Sequence, residues 1–434
     1  MFCSKGGSGV HSYNKRLWGY LYIITMAIAF TTRYADFTLG YEIQMLVGAF
    51  WIVIALAKLE RNRFLFEEDN KKIFLLFLKI YLIPKIVIHV YTIMLMILGR
   101  VEWTYFSTNF SVYIPTILSI VSLYLFGVKA YKYSAIALII SWLVSVGVSF
   151  LSKGPYIFVY AIKQAYFDST DNSFFNYLEL HDLVLSLGYI VTIYYISREK
   201  ITKKNIFILL AVLAMMVLGM KRIAVLGVVL AIFFYMFLRM FDTNKQYKIC
   251  LAFGWVGLFL CFLFIFIMSR GEWFFEVLGK FGIHPMGRNY YFTEIMKYAE
   301  FDIGFLGIGR NVITKILNTE LSYLRVGGVH SDIIKMYVEN GFVMFGIWLW
   351  YSLIRVTQLY KKYFSSKVSV IYFVITIYTF TLYLTDNVEI YFICQVISMV
   401  IPMAYAIKEK KKASKSKESL NSIKDNELNI QSNI

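Results

Sequence analysis

Apolar residues run along this chain in long blocks separated by short polar clusters. A helix that crosses a bilayer needs about 20 mostly apolar residues. Read on that rule, the blocks predict spans near 17–34, 41–58, 73–98, 111–128, 134–152, 182–197, 205–220, 223–240, 249–268, 341–357, 368–385 and 388–407. The seventh and eighth blocks touch. A single helix there would be about 54 Å long at 1.5 Å per residue, far beyond the roughly 30 Å of hydrocarbon. Two helices with a sharp turn at Gly219-Met220-Lys221-Arg222 are therefore expected. Two polar segments between blocks, 153–181 and 269–340, exceed a tight turn, and only the second could hold a small subdomain.

Composition agrees with this pattern. The chain is 59% hydrophobic, 18% aromatic and only 16% charged, with a mean hydropathy of +0.62. Soluble domains carry roughly 25% charged residues, and no single aqueous core could hide so much apolar surface. The expected fold is all-α: a polytopic membrane protein of about twelve transmembrane helices. Its parts are an N-terminus at 1–16, helices 1–9 within 17–268, an outer loop subdomain at 269–340, helices 10–12 within 341–407, and a basic tail at 408–434. Met1 to Leu17 is polar and basic, so no cleavable signal peptide is expected.

Charge then orients the spans. With both termini cytoplasmic, the N-terminus and inner loops hold 21 Lys and Arg, against six in the short outer loops. The Lys/Ser/Asn-rich tail is expected to be disordered and drawn to anionic headgroups. That makes membrane lipid a partner and places the chain in a cell membrane. Cys250, Cys261 and Cys394 lie in apolar spans and read as packing residues, and Cys3 precedes any hydrophobic region. No nucleotide-binding loop, metal-ligand cluster or Asp-x-Asp pair is visible, so no cofactor, metal or nucleic-acid partner is expected.

The charges that defy the pattern are the candidates for chemistry. Lys221 and Arg222 sit at a turn close to hydrocarbon depth, where charge costs a few kcal/mol unless an anion or water meets it. They read either as a fixed anion site or as side chains snorkelling to the headgroups. Lys85 lies deep in the third block, four residues before His89 and beside the kink expected at Pro84. Glu179-Leu180-His181-Asp182 opens the sixth block, as a helix cap or as carboxylates that orient a histidine or a sugar. In the long loop, Arg288 stands ahead of Glu294 and Lys297 at helical spacing, and Arg310 follows a glycine-rich bend at 304–309. Then comes Gly327-Gly328-Val329-His330-Ser331-Asp332. Ser331 or Asp332 can cap a short helix that Gly341 ends, with Asp332, Lys335 and Glu339 on one face. Asp386, Asn387 and Glu389 line the last outer turn.

In layout and in the order of these motifs, the chain resembles the O-antigen ligase and polymerase superfamily, and within it the Gram-positive capsular and exopolysaccharide repeat-unit polymerases. Gly219-Met220-Lys221-Arg222-Ile223-Ala224 is similar to the family's Gly-x-(Lys/Ser)-Arg-x-Ala turn. The loop series runs from Gly287-Arg288 through Gly307-Ile308-Gly309 to His330-Ser331-Asp332 and Glu339-Asn340-Gly341, and Glu179-Leu180-His181-Asp182 is similar to the Gram-positive branch. Ligases usually carry Asn after the loop His and often Trp four after the loop Arg. Ser331 and Phe292 stand there instead, which weakens a ligase assignment and leaves a polymerase assignment intact.

The resemblance implies a glycosyltransferase that needs neither nucleotide nor metal. Its donor would be a glycan on undecaprenyl pyrophosphate at the outer leaflet, its acceptor a repeat unit on the same carrier, and its candidate partners a flippase and a chain-length regulator. Arg222, with Lys221 and Arg288, would meet the leaving pyrophosphate. His330 could take the acceptor proton. Asp332, Glu339 or Asp182 could orient His330 or the sugars, with Arg310, Glu179, His181 and Lys85 as further substrate contacts. A glycan ligase and a lipid-linked oligosaccharide flippase or other transporter remain alternatives.

Overall fold

The computed structural model describes residues 7–32, 40–61, 68–102, 110–167, 180–197, 202–219, 221–271, 273–280, 288–324 and 328–431. Among them the architecture is helical, without a strand. In chain order the α-helices are α1 (Gly7–Thr31), α2 (Gly40–Arg61), α3 (Glu68–Phe77), α4 (Ile83–Ile97), α5 (Ile114–Phe126), α6 (Lys129–Phe167), α7 (His181–Ile196), α8 (Lys203–Leu218) and α9 (Arg222–Leu238). They continue with α10 (Thr243–Ser269), α11 (Trp273–Lys280), α12 (Arg288–Met296), α13 (Val312–Asn318), α14 (Asp332–Trp350), α15 (Val356–Tyr363), α16 (Ser366–Tyr383) and α17 (Phe392–Gln431).

Seven stretches among the described residues are long and apolar enough to cross a membrane: Gly40–Lys58, Lys72–Ile97, Lys129–Ser152, Thr243–Ser269, Asp332–Tyr363, Ser366–Tyr383 and Phe392–Ser414. Arg16–Thr31, Ile114–Phe126, His181–Ile196, Asn205–Leu218 and Arg222–Leu238 are apolar but shorter. This is the make-up of an all-α, polytopic membrane protein.

Local sequence explains several boundaries. Ser365 caps α16 by accepting from the Val368 amide at 3.2 Å, and Asp242 caps α10 by accepting from the Asn244 and Lys245 amides, each at 3.1 Å. The expected break between the seventh and eighth spans is present: α8 stops at Leu218, Lys221 is extended, and α9 starts at Arg222.

The basic tail departs from expectation. Instead of being disordered after Lys408, α17 continues as helix to Gln431. Good helix formers dominate the stretch, and Lys412 pairs with Glu409 three residues earlier at 3.5 Å.

The centre of the bundle is α7, α16 and the first half of α17. These helices are apolar all round and buried all round, as such helices should be. Several of their polar groups are satisfied within the bundle, although Thr192 Oγ1 on α7 has no hydrogen-bond partner among the described residues. The Tyr378 hydroxyl donates to the Leu185 carbonyl at 2.7 Å, and the Ser186 hydroxyl to Cys394 Sγ at 3.3 Å. Cys250, Cys261 and Cys394 are buried thiols outside any disulfide. More peripheral helices leave large apolar side chains exposed, such as Phe207 on α8 and Phe233 on α9.

Two helices are interrupted beside the central cavity. Between α3 and α4 lies a π-turn, Leu78–Leu82, ending two residues before Pro84, which has no amide hydrogen to give. A second π-turn, Tyr351–Arg355, joins α14 to α15. The two meet, since the Tyr351 hydroxyl donates to the Ile80 carbonyl at 3.1 Å.

Candidate functional site

The site is built on a broken helix. Ser331 caps α14 by accepting from the Ile334 amide at 3.3 Å, so a helical turn starts at Asp332, as its sequence predicts. At Gly341 the backbone turns to φ 73°, ψ −179°, and helix resumes beyond it. That break falls at the junction expected between loop subdomain and tenth span.

The glycine-rich bend at 304–309 clasps the break. Ile308 N donates to the Val338 carbonyl at 3.0 Å, Gly309 N to the Glu339 carbonyl at 2.8 Å, and Phe342 N to the Phe305 carbonyl at 2.8 Å. Backbone meets backbone so closely that a Cβ on Gly307 would lie 2.5 Å from the Gly341 nitrogen, and one on Gly341 would lie 2.2 Å from the Phe305 oxygen. The clasp carries Arg310 to the half-helix, and its amide donates to Thr92 Oγ1 of α4 at 3.0 Å.

Between α4, α13, the first half of α14, the turn 384–391 and α17 lies a cavity of about 480 Å³. Four residues singled out from sequence line it: Lys85, Arg310, Asp332 and Glu339. Lys335 joins them, so the face read from its three- and four-residue spacing is the cavity face. The cavity also holds Glu389 and Gln395, and its lower walls are aromatic, including Tyr351, Tyr372 and Tyr383.

These groups form one chain of contacts. Lys85 Nζ donates to Gln395 Oε1 at 2.5 Å, and Gln395 Nε2 donates in turn to the Glu389 carbonyl. The Tyr383 hydroxyl donates to Glu389 Oε1 at 2.5 Å, and the Glu389 amide to Asp332 Oδ2 at 2.9 Å. Burial would push the Glu389 carboxyl up, but Lys85, the Tyr383 hydrogen bond, Arg310 and Lys335 outweigh it and hold the group below its usual value. Asp332 and Glu339 are 0% and 2% exposed, and each keeps one oxygen, Oδ1 and Oε1, without a hydrogen-bond partner among the described residues. Buried acceptors are seldom left so. Arg310 is half-buried and pairs with no described carboxylate. The cavity therefore offers an uncommitted cation beside uncommitted carboxylate oxygens.

A second cluster adjoins the first. Lys221 Nζ lies 3.3 Å from Asp386 Oδ2, at 12% and 2% exposure. The anion that meets Lys221 is thus supplied by the protein. Asp386 also accepts from the Tyr391 hydroxyl at 2.8 Å, and its carbonyl accepts from the Asp332 amide at 3.2 Å, which ties the two clusters together. Burial opposes ionisation of Asp386, but Lys221 and then His181 prevail and hold it below the usual carboxylate range. His181 stands 6.4 Å from Tyr391, ring to ring, and Asp182 is buried at the start of α7.

The remaining sequence candidates do not line the cavity. Arg222 is exposed at the first turn of α9. His330 is half-buried in a left-handed conformation, φ 51°, with its ring 6.0 Å from that of Tyr291. Arg288 opens α12, but its side chain, like the whole of Glu179, lies outside the described residues. The helix that this spacing suggested is present, with Lys297 and Glu294 paired at 2.6 Å.

Gln395 is the site residue that sequence reasoning passed over, while Lys335 and Glu389 were noted by position but given no role. The available signal was a glutamate in the last outer turn and a lone amide in the apolar run 391–407. Among the described residues no group of three His, Cys, Asp or Glu could hold a metal ion. The chain matches no protein-family model and no curated protein.

Proposed function

We propose that the chain is a membrane glycosyltransferase that joins glycans carried on lipid pyrophosphate, as a repeat-unit polymerase. One observation carries the reading: a cavity beside a broken helix lined by two cations, Arg310 and Lys85, and by two buried carboxylates with spare oxygens, Asp332 and Glu339. Glycosyl transfer from a pyrophosphate needs a fixed cation where negative charge develops on the leaving group. It also needs an acceptor for the attacking hydroxyl's proton. Arg310 and Lys85 suit the first need, with Arg222 as an entry contact for the carrier. Asp332 and Glu339 suit the second better than His330, which lies off the cavity lining. At about 480 Å³ the cavity is of ordinary size for small ligands, room for the reacting sugars rather than a whole polymer.

In this reading the chain crosses the membrane twelve times, counting the five shorter apolar helices, and both termini are cytoplasmic. The cavity mouth then faces the outer side, where the lipid-linked units are joined. A single cysteine at Asn318 should react with an impermeant thiol reagent in intact cells and one at Ser365 should not; the opposite pattern overturns the orientation.

A transporter of lipid-linked oligosaccharide is the second reading, favoured by the broken α14 and the charge at Lys85. The products that build up when the protein is lost separate the readings. Single repeat units on the outer leaflet mean polymerase, long unligated chains mean ligase, and units held on the inner leaflet mean transporter.

A further inference from the structure

A second cavity of about 200 Å³ lies between α6, α7, α8 and α17, apart from the site above. Its walls are aliphatic, from Ile136 and Ile139 on α6, Ile208 and Val212 on α8, and Ile401 on α17. It sits at the end of the bundle where α6 and α8 begin and where α17 leaves the core. Two lysines border it, Lys132 and Lys408, both exposed. Neither forms an ion pair among the described residues. The nearest acid in sequence to Lys408, Glu409, is taken by Lys367 at 3.6 Å and Lys412 at 3.5 Å. Tyr131, Tyr194 and Tyr405 stand at the same end, in the mixed apolar and polar setting such rings favour at a membrane boundary. Beside the slot, α8 turns Phe207 and Leu210 outward, 73% and 59% exposed, so hydrocarbon surrounds it.

An aliphatic slot with unneutralised cations at its rim matches one kind of ligand, an anion with a hydrocarbon tail. We propose that this slot holds one acyl chain of a diacyl phospholipid and that Lys132 and Lys408 hold its anionic headgroup. A glycan would leave its hydroxyls unpaired against isoleucine, and a zwitterionic lipid would gain little from two lysines. Basic pockets between helices at a membrane boundary act on such headgroups through charge. The inference needs only that the bundle be in a bilayer, so it stands whether or not glycan transfer is the activity.

The test is native mass spectrometry of the full chain, purified in mild detergent, with phosphatidylglycerol or phosphatidylcholine of identical chains added at equal concentration. Phosphatidylglycerol should be retained about tenfold or more over phosphatidylcholine. The double variant Lys132→Gln/Lys408→Gln should bring the two lipids level, and both side chains are exposed enough for the fold to survive. Lys410→Gln/Lys411→Gln/Lys412→Gln removes basic charge from the tail only and should leave the preference intact. Equal retention by the wild type overturns the proposal, as does loss of preference in the tail variant alone. Displacement of phosphatidylglycerol by polyprenyl phosphate at equal concentration would name the carrier lipid as occupant instead, and so would also overturn it.

Discussion

At the scale of single residues, the decisive contrast is between charges with partners and charges without. Lys221 is committed to Asp386. Removing either member leaves a buried charge alone, at a cost of about 3–5 kcal/mol, so lost function in Lys221→Gln would report folding before chemistry. The Asp386 carboxyl, held low by Lys221 and His181, adds stability above the usual carboxylate range. That stability is lost as pH falls through its depressed value. Arg310, Asp332 and Glu339 keep unused capacity. Arg310→Ala should therefore lower turnover by about 100- to 1000-fold, the scale of losing one donor to a developing anion. Glu339→Gln and Asp332→Asn should each cost more turnover than His330→Gln, with protein levels in the membrane checked alongside. If His330→Gln alone abolishes turnover, the base is His330 and the cavity carboxylates only orient. Sequence singled out Lys85 from its charge in an apolar block, Asp332 and Glu339 from their spacing on one helix face, and Arg310 from the glycine-rich bend before it. It could not reveal that Asp386 neutralises Lys221 or that Asp332 accepts from the Glu389 amide, because those contacts join residues far apart in the chain.

At the scale of elements, the site depends on the clasp between the bend at 304–309 and the break in α14. The glycines were legible as punctuation. That two of them press backbone to backbone was not, because loop closure is a tertiary event. Gly341→Ala and Gly307→Ala place a Cβ 2.2 and 2.5 Å from opposing main-chain atoms, on a backbone at φ 73° and 85°. Either should open the clasp, displace Arg310 and abolish activity. Gly127→Ala has the same kind of strain, φ 58°, but open space around it. It should cost only about 1–3 kcal/mol and leave activity near normal. The comparison is read from membrane protein level and from product per molecule of protein. Equal behaviour of all three variants would make the clasp incidental. The short capped helix at Asp332 and the turn before Arg222 were predictable from local caps and from span length. The persistence of helix through the basic tail was not, since composition argued for solvation while i,i+3 pairing supports helix.

At the scale of the whole molecule, hydropathy alone made the all-α membrane architecture legible, and the helices fall close to the predicted blocks. Hydropathy is silent on which helices surround the cavity, because that is decided by packing among α4, α14, α16 and α17 after insertion. The central claim is that this cavity joins lipid-linked glycans without help from nucleotide or metal. It is tested most directly by purified protein in liposomes supplied with repeat units on polyprenyl pyrophosphate, with chelator present and no nucleotide. Glycan ladders on a gel, together with release of polyprenyl pyrophosphate, are the predicted result, and they should be absent with Arg310→Ala. Repeat units that stay single while crossing the liposome membrane, or ladders that appear only when magnesium or manganese is restored, would contradict the account.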